Sequence, residues 1–290
     1  MFKGAFTALV TPFSGGQIDT QALRNHVDFQ IEKGINGLVP CGTTGEASTL
    51  SHNEHIEVVR ITVEHAAGRV PVIAGSGSNS TTEALELTRR VKEVGADAAL
   101  MITPYYNKPT QEGLYQHFST IAKEVDIPIM LYNVPGRTGI NMLPETVARL
   151  AKIPNIVGLK DATADLKQAS YTHQLTPDDF VILSGEDALV YPLMAVGGSG
   201  VICVTSNILP GEMAQLCQRF FDGDIAGAAE LHHRLLPMCD ALFVETNPIP
   251  VKAALAMMGR IKNELRLPLI PISDKGAEKV RMAITDFGLI

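Results

Sequence analysis

The sequence predicts an α/β chain: a (β/α)8 TIM barrel with additional C-terminal helices. Three observations carry that reading. Short apolar runs of strand length recur from one end to the other, amphipathic helical stretches lie between them, and the two alternate at intervals of roughly 25–30 residues. The strand-like runs cover residues 5–10, 37–40, 70–74, 98–102, 127–132, 156–160, 180–183 and 200–204. Runs apolar on both faces belong to a parallel sheet covered by helices. An open doubly wound sheet is the competing architecture, but eight regular units without a domain break favour closure. With 290 residues, 46% of them hydrophobic, the chain is long enough for one barrel of about 250 residues and an appendage.

Taken in order, the first run reaches Thr11-Pro12 too soon for a secretion signal. The helical stretches 21–33, 53–66, 81–94, 111–125 and 144–152 repeat apolar residues at spacings of three and four, with charges opposite. Asn53, Ser80 and Thr110 open helices as turn or cap residues, and Gly34 and Gly95 follow helix ends. After the eighth run, residues 211–221 supply its helix. Residues 225–243, 251–258 and 275–287 read as extra helices whose apolar faces pack on the barrel or on a partner subunit. The expected division is a catalytic barrel over residues 1–224 and a helical extension over residues 225–290.

The bulk properties exclude several functions. A net charge of −7 with scattered Lys and Arg argues against a nucleic-acid surface. No apolar run approaches the roughly 20 residues that a membrane span requires, so a cytoplasmic protein is expected. Cys41, Cys203, Cys217 and Cys239 show no CxxC spacing, which predicts buried free thiols in a reducing compartment. His52 and His55 stand three apart with no third ligand in evidence, so no metal is expected. Gly75-Ser76-Gly77-Ser78 lacks the third glycine of a dinucleotide fingerprint. Gly197-Gly198-Ser199-Gly200 precedes the eighth strand, on the rim away from the chemistry, and reads as a turn.

Active sites of such barrels form where the strands end. Strand six ends on Lys160, where water is scarce. A neutral amine there is a nucleophile able to form a Schiff base with a carbonyl substrate, whereas a lysine snorkelling to solvent is the alternative. Strand two runs into Cys41-Gly42-Thr43-Thr44-Gly45-Glu46, a tight loop whose N–H groups and hydroxyls can converge on a carboxylate, or else a turn with solvated hydroxyls. Strand four leads to Thr103-Pro104-Tyr105-Tyr106-Asn107, with at least one tyrosine turned away from the core. Strand five ends Tyr132-Asn133-Val134-Pro135-Gly136-Arg137, a phenol suited to acid–base work and a guanidinium suited to a carboxylate. Strand seven ends Ser184-Gly185-Glu186-Asp187.

These motifs, with residues 111–118 and 243–252, resemble the signatures of the 4-hydroxy-tetrahydrodipicolinate synthase (dihydrodipicolinate synthase) family, pyruvate-dependent class I aldolases related to N-acetylneuraminate lyase. The resemblance runs in order along essentially the whole chain. It implies a lyase that condenses pyruvate with L-aspartate 4-semialdehyde through a lysine Schiff base, in diaminopimelate and lysine biosynthesis, with no metal or organic cofactor. On this resemblance Lys160 takes pyruvate, Tyr132 donates and accepts protons, and Thr43 and Tyr106 complete the proton relay. Tyr106 would reach across a tight dimer interface into the neighbour's site. Thr44 would bind the pyruvate carboxylate, Gly185 and Ile202 would surround the keto acid, and Arg137 would hold the semialdehyde carboxylate. A homotetramer built as a dimer of dimers is implied. So is inhibition by L-lysine at Ser48, Leu50, His52, His55, Gly77, Asn79, Glu83 and Tyr105, where Glu83 suits an ammonium.

Thr43 and Arg137 separate the chain from N-acetylneuraminate lyase, which has Gly-Ser-Thr-Gly-Glu in the loop and lacks the arginine. The sequence departs from the family pattern at Asp161, where Glu is common, and at Ala164, where Gly is frequent and the turn after strand six would be altered. It departs also at Ala47-Ser48, where some inhibited members have Ser-Ala. A non-catalytic binding protein on the same barrel, sensing a keto acid or an amino acid, would keep the pocket but would not need both the lysine and the relay.

Overall fold

The computed structural model describes residues 2–290. Eight parallel strands form one sheet: β1 (Gly4–Ala8), β2 (Gly37–Val39), β3 (Ile73–Gly75), β4 (Ala98–Ile102), β5 (Ile129–Asn133), β6 (Ile156–Asp161), β7 (Val181–Ser184) and β8 (Gly200–Cys203). Each pairs with its neighbours in the chain, and β1 pairs with both β2 and β8. The last seam, between β2 and β3, is closed by a single parallel bridge, Leu38 to Val72. Two hydrogen bonds flank it, Leu38 N–H to the Pro71 carbonyl and Gly75 N–H to the Pro40 carbonyl, each 3.0 Å. The sheet is therefore a barrel, as its sequence periodicity predicts.

The alternation of side chains along the strands sorts them into two cores. Phe6, Ala8, Val39, Ile73, Ala98, Leu100, Met130, Leu183 and Ile202 fill the barrel interior, with Tyr132 at its upper end. Ala99, Met101, Ile129, Leu131, Leu159 and Ile182 face outward and pack under Leu114, Phe118, Ile121, Val147 and Leu150 of the covering helices. Those helices are α1 (Thr20–Glu32), α2 (His52–Ala66), α3 (Thr81–Glu93), α4 (Gln111–Glu124), α5 (Pro144–Leu150), α6 (Leu166–Leu175), α7 (Val190–Ala195) and α8 (Pro210–Phe221).

Ser80 and Thr110 cap α3 and α4 as expected, accepting from the N–H groups of Glu83 and Gly113. Asn53 does not cap α2. Ser51 does, because it and Glu54 form a reciprocal capping box that satisfies two backbone donors at once. Asn53 lies in the first turn, where its side-chain oxygen accepts from Arg90. Gly34 and Gly95 follow the ends of α1 and α3 with φ of 88° and 90°. Gly200, with φ of 135°, lets β8 approach β1 so closely that a Cβ would stand 2.0 Å from the Gly4 carbonyl oxygen. A short antiparallel hairpin, Phe13–Ser14 with Gln17–Ile18, follows β1 and was not evident in the sequence periodicity.

Three further helices complete the chain: α9 (Ile225–Ala241), α10 (Ile249–Met257) and α11 (Asp274–Asp286). Leu231, Leu235, Met238, Val251, Leu255, Val280 and Ile284 on them join one cluster with Leu9, Val10, Val201 and Val204. Their apolar faces thus pack against the barrel. All four cysteines are buried and free; burial pushes the Cys217 and Cys239 thiols up to about 12. Among the described residues, no helix is long and apolar enough to cross a membrane, and no cluster of three or more His, Cys, Asp or Glu is arranged to hold a metal ion.

Candidate active site

The register between β5 and β6 sets Tyr132 beside Lys160 where the two strands end. Lys160 is buried, and its Nζ lies 4.3 Å from the centroid of the Tyr132 ring. At the end of β7, Gly185 leaves the space this lysine needs: a Cβ there would stand 3.0 Å from Lys160 Cε and 2.7 Å from Ala162 Cβ. Ile202 of β8 is buried at the base. Glu186 and Asp187 follow Gly185. Burial raises both carboxyls above the usual carboxylate range, with Lys160 pulling the other way. Asp187 also accepts from the N–H groups of Val204 and Thr205, which ties the end of β7 to the end of β8.

The loop after β2 is bounded by two residues in the left-handed region, Cys41 (φ 56°) and Glu46 (φ 54°). Inside it, Gly45 and Glu46 N–H groups bond to the Gly42 and Thr43 carbonyls. The Thr43 and Thr44 N–H groups have no acceptor among the described residues, so two donors remain for an anion. The loop is held from behind. Lys252 of α10 donates to Glu46 at 2.5 Å and to the Thr11 carbonyl at 3.0 Å. The Arg266 N–H reaches the second Glu46 oxygen at 3.1 Å, and Thr11 Oγ1 donates to the Gly45 carbonyl at 2.7 Å. Both side chains of the Lys252–Glu46 pair are fully buried. Burial lowers the Lys252 pKa, and the Glu46 carboxylate opposes that shift. Asn247, just before α10, donates from Nδ2 to Thr44 Oγ1 at 3.0 Å.

Arg137 stands on a single helical turn, Pro135–Thr138, after β5, and its Nη2 donates to the Asn247 carbonyl at 3.3 Å. Thr43, Thr44, Tyr132, Arg137, Lys160, Gly185 and Ile202 all line one cavity of about 200 Å³. Tyr106 does not. It is 90% exposed, with φ of 71°, and lies outside the cavity lined by the other members of the expected relay in the same chain.

A second cavity, of about 450 Å³, is lined by Ser48, Leu50, His52, His55, Gly77, Glu83 and Tyr105, and also by Thr43, Tyr132 and Arg137. Asn79 is not on its wall; its Nδ2 donates to the Tyr105 carbonyl at 3.2 Å. His52 Nε2 meets Glu83 at 3.0 Å on the surface. His55 is buried and donates from Nε2 to the Gly75 carbonyl at 2.6 Å, and burial lowers its pKa. The sequence pattern did not single out Asn247, Lys252 or Glu46 as site-forming residues. Glu46 and the stretch 243–252 entered only as parts of motifs without assigned roles, and the physical signal was a lone lysine inside the otherwise apolar stretch Ile249–Met257.

The comparisons agree with the fold. Residues 1–287 match the model of the dihydrodipicolinate synthetase family. The 4-hydroxy-tetrahydrodipicolinate synthase of Syntrophobacter fumaroxidans is 57% identical over 291 residues, covering 100% of both chains. Dihydrodipicolinate synthase from Thermotoga maritima superposes with a TM-score of 0.99 at 48% identity, over 100% of both chains. The enzyme from Cyanidioschyzon merolae, solved with lysine bound, gives 0.97 at 42% identity over 100% of this chain and 99% of its own. The chain belongs to the dihydrodipicolinate synthetase family.

Proposed function

We infer that the chain is a lyase condensing pyruvate with L-aspartate 4-semialdehyde to give 4-hydroxy-tetrahydrodipicolinate, in diaminopimelate and lysine biosynthesis. The observation that carries the reading is the buried Lys160 amine, held against Tyr132 in a cavity that also presents Thr43, Thr44 and Arg137. The Lys160 nitrogen attacks the pyruvate ketone, and loss of water gives an iminium. The iminium draws electrons from the methyl group, whose proton leaves to form an enamine. The enamine carbon bonds to the aldehyde carbon of the semialdehyde, and the aldehyde oxygen takes a proton. The acceptor's own amine then attacks the Schiff-base carbon, closes the ring and expels Lys160.

Tyr132 and Thr43 carry the protons, and Tyr106 from a second copy of the chain completes the relay; its exposure in one chain supports that arrangement. Thr44 and the free loop N–H groups hold the pyruvate carboxylate. Arg137 holds the semialdehyde carboxylate, and Gly185 and Ile202 flank the keto acid. Residues 1–224 supply this chemistry and residues 225–290 brace it. The assembly is a homotetramer, a dimer of dimers, working in the cytoplasm on small molecules without nucleic acid or membrane.

Regulation by L-lysine belongs to the same reading. The second cavity offers Glu83 for an ammonium and the Tyr105 hydroxyl as a hydrogen-bonding group, and it shares Thr43, Tyr132 and Arg137 with the active site. Millimolar lysine should inhibit partially, and Glu83→Ala should remove the inhibition while retaining catalysis. Unchanged wild-type activity over that range would refute this site. For the reaction itself, borohydride with pyruvate should add one reduced pyruvate per chain, found by peptide mass at Lys160 and lost in Lys160→Ala. Modification at any other lysine would overturn the Schiff-base assignment.

A further inference from the structure

Asn247 has no role in the reaction just derived, yet it touches two residues that have one. Its Nδ2 donates to Thr44 Oγ1 at 3.0 Å, and its backbone carbonyl accepts from Arg137 Nη2 at 3.3 Å. It is 5% exposed and lines the same cavity as Lys160. Five residues further on, Lys252 is pinned to Glu46. The loop after β2 is therefore gripped at two points by one segment.

Donor and acceptor arithmetic gives this contact a direction. A threonine hydroxyl has one hydrogen to give and lone pairs to receive with. When the Asn247 amide fills a lone pair of Thr44 Oγ1, the hydroxyl hydrogen remains to be donated. Among the described residues, nothing accepts it. Thr44 is buried and β-branched, so its side chain has few alternative positions.

We propose that Asn247 is a positioning residue that commits the Thr44 hydroxyl to donate toward the carboxylate of the bound keto acid. This rests on Thr44 as the binder of that carboxylate. The polarity makes a demand that packing alone does not. Asn247→Asp keeps the shape but replaces the donor with an acceptor, turning the Thr44 hydrogen away from the substrate and setting a negative charge near its carboxylate. Asn247→Ala only releases the hydroxyl. A packing role would make the alanine variant the worse of the two, because it leaves a hole; the polarity role makes the aspartate variant worse.

The test is the KM for pyruvate and the kcat of the full-length enzyme, in Thr44→Val, in both Asn247 variants, and in each Asn247 variant combined with Thr44→Val. Thr44→Val should raise the pyruvate KM about tenfold, as expected for loss of a hydrogen bond to a charged group. Asn247→Asp should raise it at least as much and Asn247→Ala less, with kcat at saturating pyruvate changed far less than KM. The Asn247→Ala effect should vanish when valine replaces Thr44, and that of Asn247→Asp should shrink to the part owed to its charge, since coupled residues are non-additive. If Thr44→Val leaves the pyruvate KM unchanged, the Thr44 assignment fails and the proposal with it. If Thr44→Val raises KM but the Asn247 variants stay within about twofold of wild type, or act equally without the hydroxyl, the role of Asn247 is overturned and that of Thr44 stands. Should Asn247→Asp fail to fold, the alanine variant decides by the same coupling.

Discussion

Two lysines are buried in this chain, and their surroundings differ in kind. Lys252 donates to Glu46 and to the Thr11 carbonyl, whereas Lys160 has no hydrogen-bond acceptor among the described residues and meets the face of Tyr132. A nucleophile must be free to turn toward its substrate, and Lys252 is pinned in a fully buried ion pair, so pyruvate trapping should discriminate absolutely between the two. Arg137 gives a second prediction. Losing a charge-assisted carboxylate contact should cost the acceptor about 2–3 kcal/mol in transition-state binding. Arg137→Ala should lower kcat/KM for aspartate semialdehyde accordingly while borohydride trapping of pyruvate persists; equal loss of both would mark the arginine as structural. A third concerns Ala164, which adopts φ of 58° in the turn after β6. Left-handed backbone costs a residue with a Cβ about 1–2 kcal/mol, partly offset by the lower entropy of alanine in the unfolded chain. Ala164→Gly should therefore raise the denaturation midpoint by up to about 1 kcal/mol in stability without altering catalysis. The candidate site was largely legible residue by residue, because Lys160, Tyr132, Thr43, Thr44 and Arg137 sit at or just beyond strand ends. Asn247 and Glu46 were not, since their partners lie about 200 residues away in the chain.

At the level of elements, the loop after β2 depends on a helix from the far end of the chain. The Lys252–Glu46 pair is fully buried, and removing one partner strands the other's charge. Lys252→Met should destabilise by about 3–5 kcal/mol, whereas Lys252→Met with Glu46→Gln should recover much of that loss. Urea unfolding of the three proteins measures it; equal destabilisation by single and double variants would deny the coupling. The strands were readable because apolar runs bounded by turn residues are unambiguous in a repeating αβ pattern. The hairpin at Phe13–Ser14 and Gln17–Ile18 was hidden because two-residue strands carry no measurable period. Helix α7 spans only Val190–Ala195, and α6 carries polar residues over most of its length, so neither announces itself by spacing. The cap of α2 was misplaced by two residues because Ser51 and Asn53 are both good cap residues, and only the answering Glu54 side chain distinguishes them.

Across the whole molecule, two buried histidines tie stability to pH. Burial holds His26 and His117 at about 4, against an ordinary value of 6.5. Between those values the unfolded chain binds protons that the folded one refuses, so stability falls as pH drops from about 6.5 toward 4, by on the order of 2–3 kcal/mol for each. Glu54, held down to about 2 by Arg266, acts in the same direction below its ordinary 4.5. Melting temperatures should decline through this window, and imidazole resonances should show at least His26 and His117 of the eight histidines still neutral at pH 5; ordinary titration of all eight would contradict the account. The seam between β2 and β3 has its own consequence. It is the barrel's narrowest join, one bridge and two flanking hydrogen bonds, drawn so tight that a Cβ on Gly75 would stand 2.0 Å from the Cys41 carbonyl oxygen. That carbonyl belongs to the same loop that carries Thr43 and Thr44. Stability is not uniform across a fold, and here the least stitched part of the hoop is also its working edge. The Leu38 and Gly75 amides should exchange with solvent before those of Leu131 and Leu159. On gentle heating, turnover should fade reversibly while the rest of the barrel still holds its shape: the enzyme goes silent before it melts.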